Sequence, residues 1–444
     1  GVLYKAARRP ADAESTYVAA LALAESLSPE LGQRPKVRDV VAGLRINLAN
    51  LLDDARKYDE ADRHYADGIV ARQRLVEDEP RDPTFKVALA LAHRNYGIAL
   101  ADRGSHEQAA VQLRAAADVE LRLSAEYPAV AAYRTAAARS RLALGGTLQV
   151  LGRADEAEAE VRAGGELSRQ GATQLPEVPE HREVLGNSQT TLANVVRQRG
   201  RLDEALALYV AAVDTYRQLA RDFPQVPRNQ ELMATSAANL GAMYNLLGRP
   251  DDAAPHLQAA LEARERLVKA HPAEPRYRNE LAEARHNFGA MLLSWKKSEA
   301  AETEFRAALA LFEQLATDFP KAGPIRMKCV STGRALAAAL AAQKRHVDAA
   351  PVLRSARDAA LRLTADFPQF APFQGELADA HRDLAESLAA TRVESEARDE
   401  LLKAVAIRST LSHGKQNGAE HAAQAAALLA QLAELELTAG RPVE

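Results

Sequence analysis

Residues 200–227 begin Gly200-Arg201-Leu202-Asp203-Glu204-Ala205 and end Leu219-Ala220-Arg221-Asp222-Phe223-Pro224-Gln225-Val226-Pro227. Gly200 suits the left-handed residue that closes a helix, and Asp203 and Glu204 fall on the first turn of the next one, where the macrodipole favours negative charge. Phe223-Pro224 then ends that helix, because the residue before a proline avoids the helical region. Pro227 sits where a further helix accepts proline without losing a hydrogen bond, at its first position. The stretch therefore spells one helix, a tight connection before it, and a second connection after it.

The same signals recur. Prolines stand at Pro80, Pro128, Pro176, Pro224, Pro272, Pro320 and Pro368, every interval being 48 residues. An alanine column runs in register through Ala13, Ala61, Ala109, Ala157, Ala205, Ala253, Ala301, Ala349 and Ala397. A turn column runs Arg8, Arg56, Gly104, Gly152, Gly200, Gly248, Lys296, Lys344, Arg392 and Gly440. Each period reads as two antiparallel helices of roughly 21 residues, about 32 Å long at 1.5 Å per residue. Between Tyr277 and Trp295 the apolar residues Leu281, Ala284, Phe288, Met291 and Leu292 follow the 3.6-residue period, so one face is made to be buried. The expected organisation is a single all-α array over 1–444: a partial unit at 1–34, eight full helix pairs over about 35–412, and a terminal helix at about 419–439. Gly1 aligns with Gly97, Gly241 and Gly289 inside a first helix. Both ends thus read as cutting through a unit of something longer.

Around the alanine column, Leu240-Gly241-x-x-Tyr244 followed by Ala253, Leu257 and Ala260 places small and large residues as in a tetratricopeptide repeat, which the whole chain resembles. The second half recurs as Ala301, Phe305 and Ala308 and as Ala205, Tyr209 and Ala212. The unit of 48 residues departs from that family's usual 34. The resemblance implies a right-handed α-solenoid whose first helices line a groove for a peptide or partner domain. The linkers Leu219-to-Pro224, Leu315-to-Pro320 and Leu363-to-Pro368, each closing on Asp-Phe-Pro, are similar to those of the long repeat arrays of planctomycete serine/threonine protein kinases. Nothing catalytic follows from that. The chain has no Gly-rich phosphate loop, His-Arg-Asp loop or Asp-Phe-Gly, so any kinase domain would lie outside it.

Composition narrows the chemistry. With 57 Lys+Arg against 60 Asp+Glu the formal charge is −3, and the footprint of a dedicated nucleic-acid binder is missing. The single cysteine, Cys329, excludes an internal disulfide and points to a reducing, cytoplasmic compartment. No apolar run reaches the ~18 residues of a membrane span. No pair of histidines stands at i, i+4, so no helical metal site is expected, nor any cofactor. Cys329 falls in a column with Val41, Leu89, Met233 and Leu281, which reads as an apolar slot rather than a nucleophile. Basic residues recur at Arg38, Lys86, Arg134, Arg182, Arg278 and Arg326, preceded by Tyr133, Phe85 or Tyr277. A ladder of that kind could stack on nucleobases, which keeps a nucleic-acid-binding helical repeat as the weaker alternative. Gly165 and Gly171 replace leucines of their columns, so the helix from about Ala154 to Gln174 is expected to be the weakest, kinked or shortened.

The remaining pattern is an asparagine column, Asn47, Asn95, Asn239 and Asn287, with Thr191 and Asp383 at equivalent places. Asparagine is a poor helix-interior residue, and its repeated use asks for a reason. Each precedes by two residues the small residue of the tight crossing (Ala49, Gly97, Gly241, Gly289), and two residues turn a helix by about 200°. The amides therefore point away from their own second helices. The family resemblance makes that direction the inner groove, where Asn can bond a bound peptide's backbone. The competing reading is that the amides tie neighbouring helices together. The sequence thus describes a non-catalytic protein-interaction scaffold, the docking or sensing region of a larger signalling protein such as a serine/threonine kinase, or else a free-standing adaptor.

Overall fold

The computed structural model describes residues 10–27, 29–414 and 417–438. Among these the regular structure is entirely helical: α1 (Pro10–Glu25), α2 (Pro29–Gly32), α3 (Pro35–Asp54), α4 (Tyr58–Asp78), α5 (Pro83–Asp102), α6 (His106–Glu126), α7 (Ala131–Val150), α8 (Ala154–Gln174), α9 (Pro179–Gln198), α10 (Leu202–Asp222), α11 (Pro227–Leu246), α12 (Pro250–Ala270), α13 (Pro275–Ser294), α14 (Ser298–Asp318), α15 (Gly323–Ala342), α16 (His346–Asp366), α17 (Ala371–Ala390), α18 (Glu394–Ser412) and α19 (Gly418–Thr438). From α3 to α10, and again from α13 to α18, they pack as consecutive antiparallel hairpins, and the all-α repeat expected from the columns is the observed architecture. The first helix α3 runs 20 residues and its second helix α4 runs 21, a pattern that α5 and α6 repeat.

Each hairpin turn closes on a residue in the left-handed region. Gly104, Gly152, Gly200 and Gly248 have φ between 67° and 84°, while Arg56, Lys296, Lys344 and Arg392 adopt φ near 60° without being glycine. The amide of the following residue reaches back into the helix, as in Lys57 N–H to Leu52 O (2.9 Å) and Ser105 N–H to Leu100 O (2.8 Å), which satisfies carbonyls the helix leaves open. Arg8 and Gly440, the outer members of the turn column, lie outside the described residues.

The chain divides into two compact units, 1–240 and 241–444. In the first, Tyr17, Ile46, Leu48, Leu52 and Tyr65 pack around the alanines Ala13, Ala49, Ala61 and Ala92. In the second, Leu257, Phe288, Phe305, Leu336, Leu353, Leu384 and Leu401 form one continuous core. In both, a small residue on the first helix receives a large one from its own second helix. A Cβ added to Gly97 would lie 2.7 Å from Leu113 Cγ, and one on Gly289 would lie 2.9 Å from Phe305 Cε1. The hairpins close this tightly because these positions lack a side chain.

Helix α8 is not shortened, against that part of the expectation. It keeps its full 21 residues, the same as α10. The space of the leucine missing at Gly171 is taken by Thr135 from the first helix of the same hairpin and His181 from the next one: a Cβ there would meet Thr135 Oγ1 at 3.4 Å and the His181 ring at 3.7 Å. Thr135 and His181, both buried, are joined to each other at 2.6 Å. Burial holds the His181 imidazole below its usual pKa, which keeps it in the neutral form that suits such a slot. Two glycines nevertheless remain in the interior of a helix. The double variant Gly165→Ala with Gly171→Ala is expected to raise stability by about 1–2 kcal/mol, because each methyl finds only ordinary contacts. Urea denaturation checks it, and a lower midpoint would show that the two sites need glycine.

Candidate functional site: the open face of the first helices

The four asparagines sit mid-way along the first helices, Asn47 on α3, Asn95 on α5, Asn239 on α11 and Asn287 on α13. Asn47 and Asn287 are exposed, while Asn95 and Asn239 are half-buried. Their amides make no hydrogen bond to any described residue. On α5, Gly97 faces Leu113 of the second helix, so Asn95 two residues earlier points away from it. The same holds on α13, where Gly289 faces Phe305. The column changes character elsewhere. Thr191 Oγ1 is turned back onto the Asn187 carbonyl (2.8 Å). Asp383 is held by Arg334 Nε (2.6 Å) and Arg382 Nη2 (2.7 Å).

Other asparagines in the first helices are structural. Tyr65 OH donates to Asn50 Oδ1 (2.6 Å), Tyr209 OH donates to Asn194, and Tyr216 OH donates to Asn187 (2.7 Å). A buried phenol needs such an acceptor. Residue type alone therefore does not separate the open amides from the structural ones; the column does.

The basic ladder has a different use from the one considered on sequence. Arg38 pairs with Asp78 (2.6 Å), Lys86 with Glu126 (2.8 Å), Arg182 with Asp222 (2.5 Å), Arg278 with Asp318 (2.8 Å) and Arg326 with Asp366 (2.6 Å). Arg134 bonds Gln174 in the same way. Each links the start of a first helix to the end of its own second helix, so these cations staple hairpins. The acid is half-exposed in every case, so each staple contributes at most about 1 kcal/mol.

Cys329 is half-buried beside Phe312 and Leu315, and burial pushes its thiol up to about 11, which leaves little thiolate. Among the described residues no group of His, Cys, Asp and Glu has the arrangement of a metal site, and no helix is long and apolar enough to cross a membrane. Ionic pairing is dense around α17. Arg334 meets Glu376 (2.8 Å) and Asp383, while buried Glu400 accepts from His381 Nδ1 (2.5 Å) and Lys403 Nζ (2.8 Å). Burial alone would raise the Glu400 carboxyl, but the bonds from His381 and Lys403 outweigh it and bring it to about 2.

This arrangement of hairpins, with a small-residue crossing on one side and polar side chains open on the other, has counterparts. The tetratricopeptide repeat model matches three stretches of the chain, residues 41–82, 185–225 and 233–273. No curated protein matches the sequence. Among solved structures, the chain is similar to a signal transduction ATPase with numerous domains that carries a tetratricopeptide repeat sensor, from Pyrococcus horikoshii. The two are 13% identical with a TM-score of 0.52, over 88% of this chain and 52% of that one, so the chain spans about half that protein's length. It is also similar to BtubC from P. vanneervenii (19% identity, TM-score 0.43, 60% of this chain and 93% of that one). A third is aspartyl phosphate phosphatase F from Bacillus subtilis (12% identity, TM-score 0.42, 90% and 94%). The first of these bears on the fold, as a helical-repeat architecture.

Proposed function

We propose that the chain is a protein-docking scaffold, the docking or sensing region of a larger signalling protein such as a serine/threonine kinase, and that the open face of its first helices holds an extended partner segment. The observation that carries this reading is the set of asparagine amides, Asn47, Asn95, Asn239 and Asn287, placed opposite the tight crossings and bonded to nothing in the described chain. An amide offers donor and acceptor together, which matches a peptide backbone and reads no side chain. An asparagine kept for inter-helix packing would be expected to bond a neighbouring helix, as Asn50 does through Tyr65.

The test uses Asn47 and Asn95, which lie in successive hairpins of one unit. Nonapeptides selected from a random display library on the purified chain are measured against the Asn47→Ala, Asn95→Ala double variant. Each lost bond costs about 0.5–1.5 kcal/mol of affinity, so the pair weakens binding roughly tenfold while the thermal midpoint stays put. A variant that loses several degrees of midpoint with affinity intact would make the column structural.

A further inference from the structure

The 241–444 unit contains a cavity of about 560 Å³ between α15 and α17, inside the ~300–1,000 Å³ range of ligand pockets. Its lining is part apolar, through Ala338, Ala341 and Leu353, and part charged, through Arg334, Arg382 and Asp383. Asp383 stands in the asparagine column, so the cavity belongs to the open face of the first helices.

The register of the repeat shows what this place lacks. Two hairpins earlier, the gap between α11 and α13 is bridged from within. The half-buried Trp295, just past the end of α13, donates its indole N–H to Asn245 Oδ1 on α11 (2.7 Å), and Lys297 Nζ lies 5.7 Å from the ring centroid. Two periods of 48 residues carry Asn245 to Ala341 and Trp295 to Thr391. Thr391 bonds back onto α17 at Ser387 O (3.2 Å) and Leu388 O (3.0 Å), and Ala341 lines the cavity. The indole and the amide that holds it are thus both lost at the place where the cavity lies.

The charged lining selects the occupant. Arg382 commits Nε and Nη2 to Asp383 Oδ1 (3.0 and 2.7 Å) and Nη1 to Asp379 Oδ1 (3.2 Å). Arg334 commits Nε to Asp383 Oδ2 (2.6 Å) and Nη1 to Glu376 Oε1 (2.8 Å). A guanidinium is planar, so partners on its rim leave its faces for stacking. An anion would have to compete with these carboxylates for the rim, and an aliphatic side chain would gain nothing from the faces. An aromatic ring is attracted to a cation across its own face. The same unit already uses that contact, with Arg249 4.8 Å from the Tyr244 ring centroid and Arg276 4.7 Å from that of Tyr277.

We infer that this cavity binds an aromatic side chain of the docked peptide segment, which rests on Ala338 and Ala341 against the guanidinium faces of Arg334 and Arg382. The guest ring takes the place that Trp295 fills two hairpins earlier. This rests on the docking reading above and names a residue class that the partner must carry.

The probes are three nonapeptides in which serine alternates with Trp, with Leu or with Glu, titrated calorimetrically into the full chain. The Trp probe is expected to bind at least tenfold tighter than the other two. Ala338→Ile with Ala341→Leu fills the cavity with residues that the repeat already accepts at these positions, as Ile98 and Leu293, and should remove that preference. Ala341→Asn with Thr391→Trp copies Asn245 and Trp295, places the chain's own indole in the gap, and should remove it as well. Arg382→Lys keeps the charge, loses the planar face, and should weaken the Trp probe at least threefold with the Leu probe unchanged. Equal binding of the three probes, no binding of the Trp probe, a Trp preference that survives both filling variants, or an Arg382→Lys chain with unaltered Trp affinity overturns the proposal. The docking reading is judged separately by Asn47→Ala with Asn95→Ala in the other unit. If that variant weakens nothing while the filling variants remove the Trp preference, the amide reading fails and the aromatic cavity stands. If it weakens three probes that bind equally, the docking reading stands and the aromatic cavity falls.

Discussion

Replacing Phe305 by alanine is expected to destabilise the 241–444 unit by about 3–5 kcal/mol, the range for removing a fully buried aromatic ring. Phe305 is 0% exposed and lies in the continuous core of that unit. Its ring packs edge-on to His286 at 5.5 Å between centroids and fills the gap left by Gly289. The α13 side of the crossing, at Gly289, has no side chain to collapse into the space. Phe305→Leu should cost much less, since Leu257, Leu353 and Leu401 occupy the same column in neighbouring hairpins and are buried there. The coupling to Gly289 gives a sharper check. Gly289→Ala should destabilise the parent, where its methyl would sit 2.9 Å from the ring, and stabilise Phe305→Ala, where the ring is gone. Chemical denaturation of the four chains, with hydrogen exchange on α13 and α14, measures both effects. Additive effects of the two substitutions would mean that the crossing relaxes instead of holding its shape.

The hairpins were legible in the sequence because turn chemistry and small-residue crossings recur at a fixed interval, and each column is a local demand repeated many times. The positive-φ turns at Arg56, Lys296, Lys344 and Arg392 could be placed by register although their residue types say little alone. The role of the basic ladder was also present in the sequence, in a pairing of two columns rather than in one. Wherever the cation is lost, its partner at the far end of the hairpin is lost too: Gln230 stands opposite Ala270, and Gln374 opposite Gly414. Paired loss of that kind marks an internal pair, and Arg134, whose partner is Gln174 in place of an acid, still bonds it. The filling of the Gly171 slot was not legible. It depends on Thr135 of the same hairpin and His181 of the next one, and neither residue type announces that it will reach across. For the asparagines the sequence supplied direction, through the angle between residues two apart on a helix, but exposure and the absence of partners needed coordinates.

Gly186→Val is expected to destabilise the 1–240 unit by about 3 kcal/mol or more, at or above the usual ~1–3 kcal/mol for an overpacked core. A Cβ at Gly186 would lie 2.4 Å from Tyr216 Cζ, and Tyr216 is 3% exposed with its hydroxyl donating to Asn187 Oδ1 at 2.7 Å. The ring cannot swing out without breaking that bond, and α9 cannot withdraw from α10 without opening the crossing along its length. The pair belongs to two columns, one on each helix of the hairpin, whose sizes compensate. Ala282 faces Phe312 and Val330 faces Ala360, the first two sharing one core cluster and the second two another. The chain thus already contains the inverted arrangement, large residue on the first helix and small on the second. Gly186→Val combined with Tyr216→Ala copies Val330 and Ala360, and should recover most of the stability lost by Gly186→Val alone. It should not recover all, because Asn187 loses its phenol donor and the summed side-chain volume is smaller. Tyr216→Ala alone should cost about 3–5 kcal/mol, leaving a cavity against a glycine. A favourable coupling of about 2 kcal/mol or more in the double-mutant cycle is therefore the expected result. If the double variant is as unstable as the sum of the single changes, size compensation between these columns is not what sets the spacing of the first helix from the second.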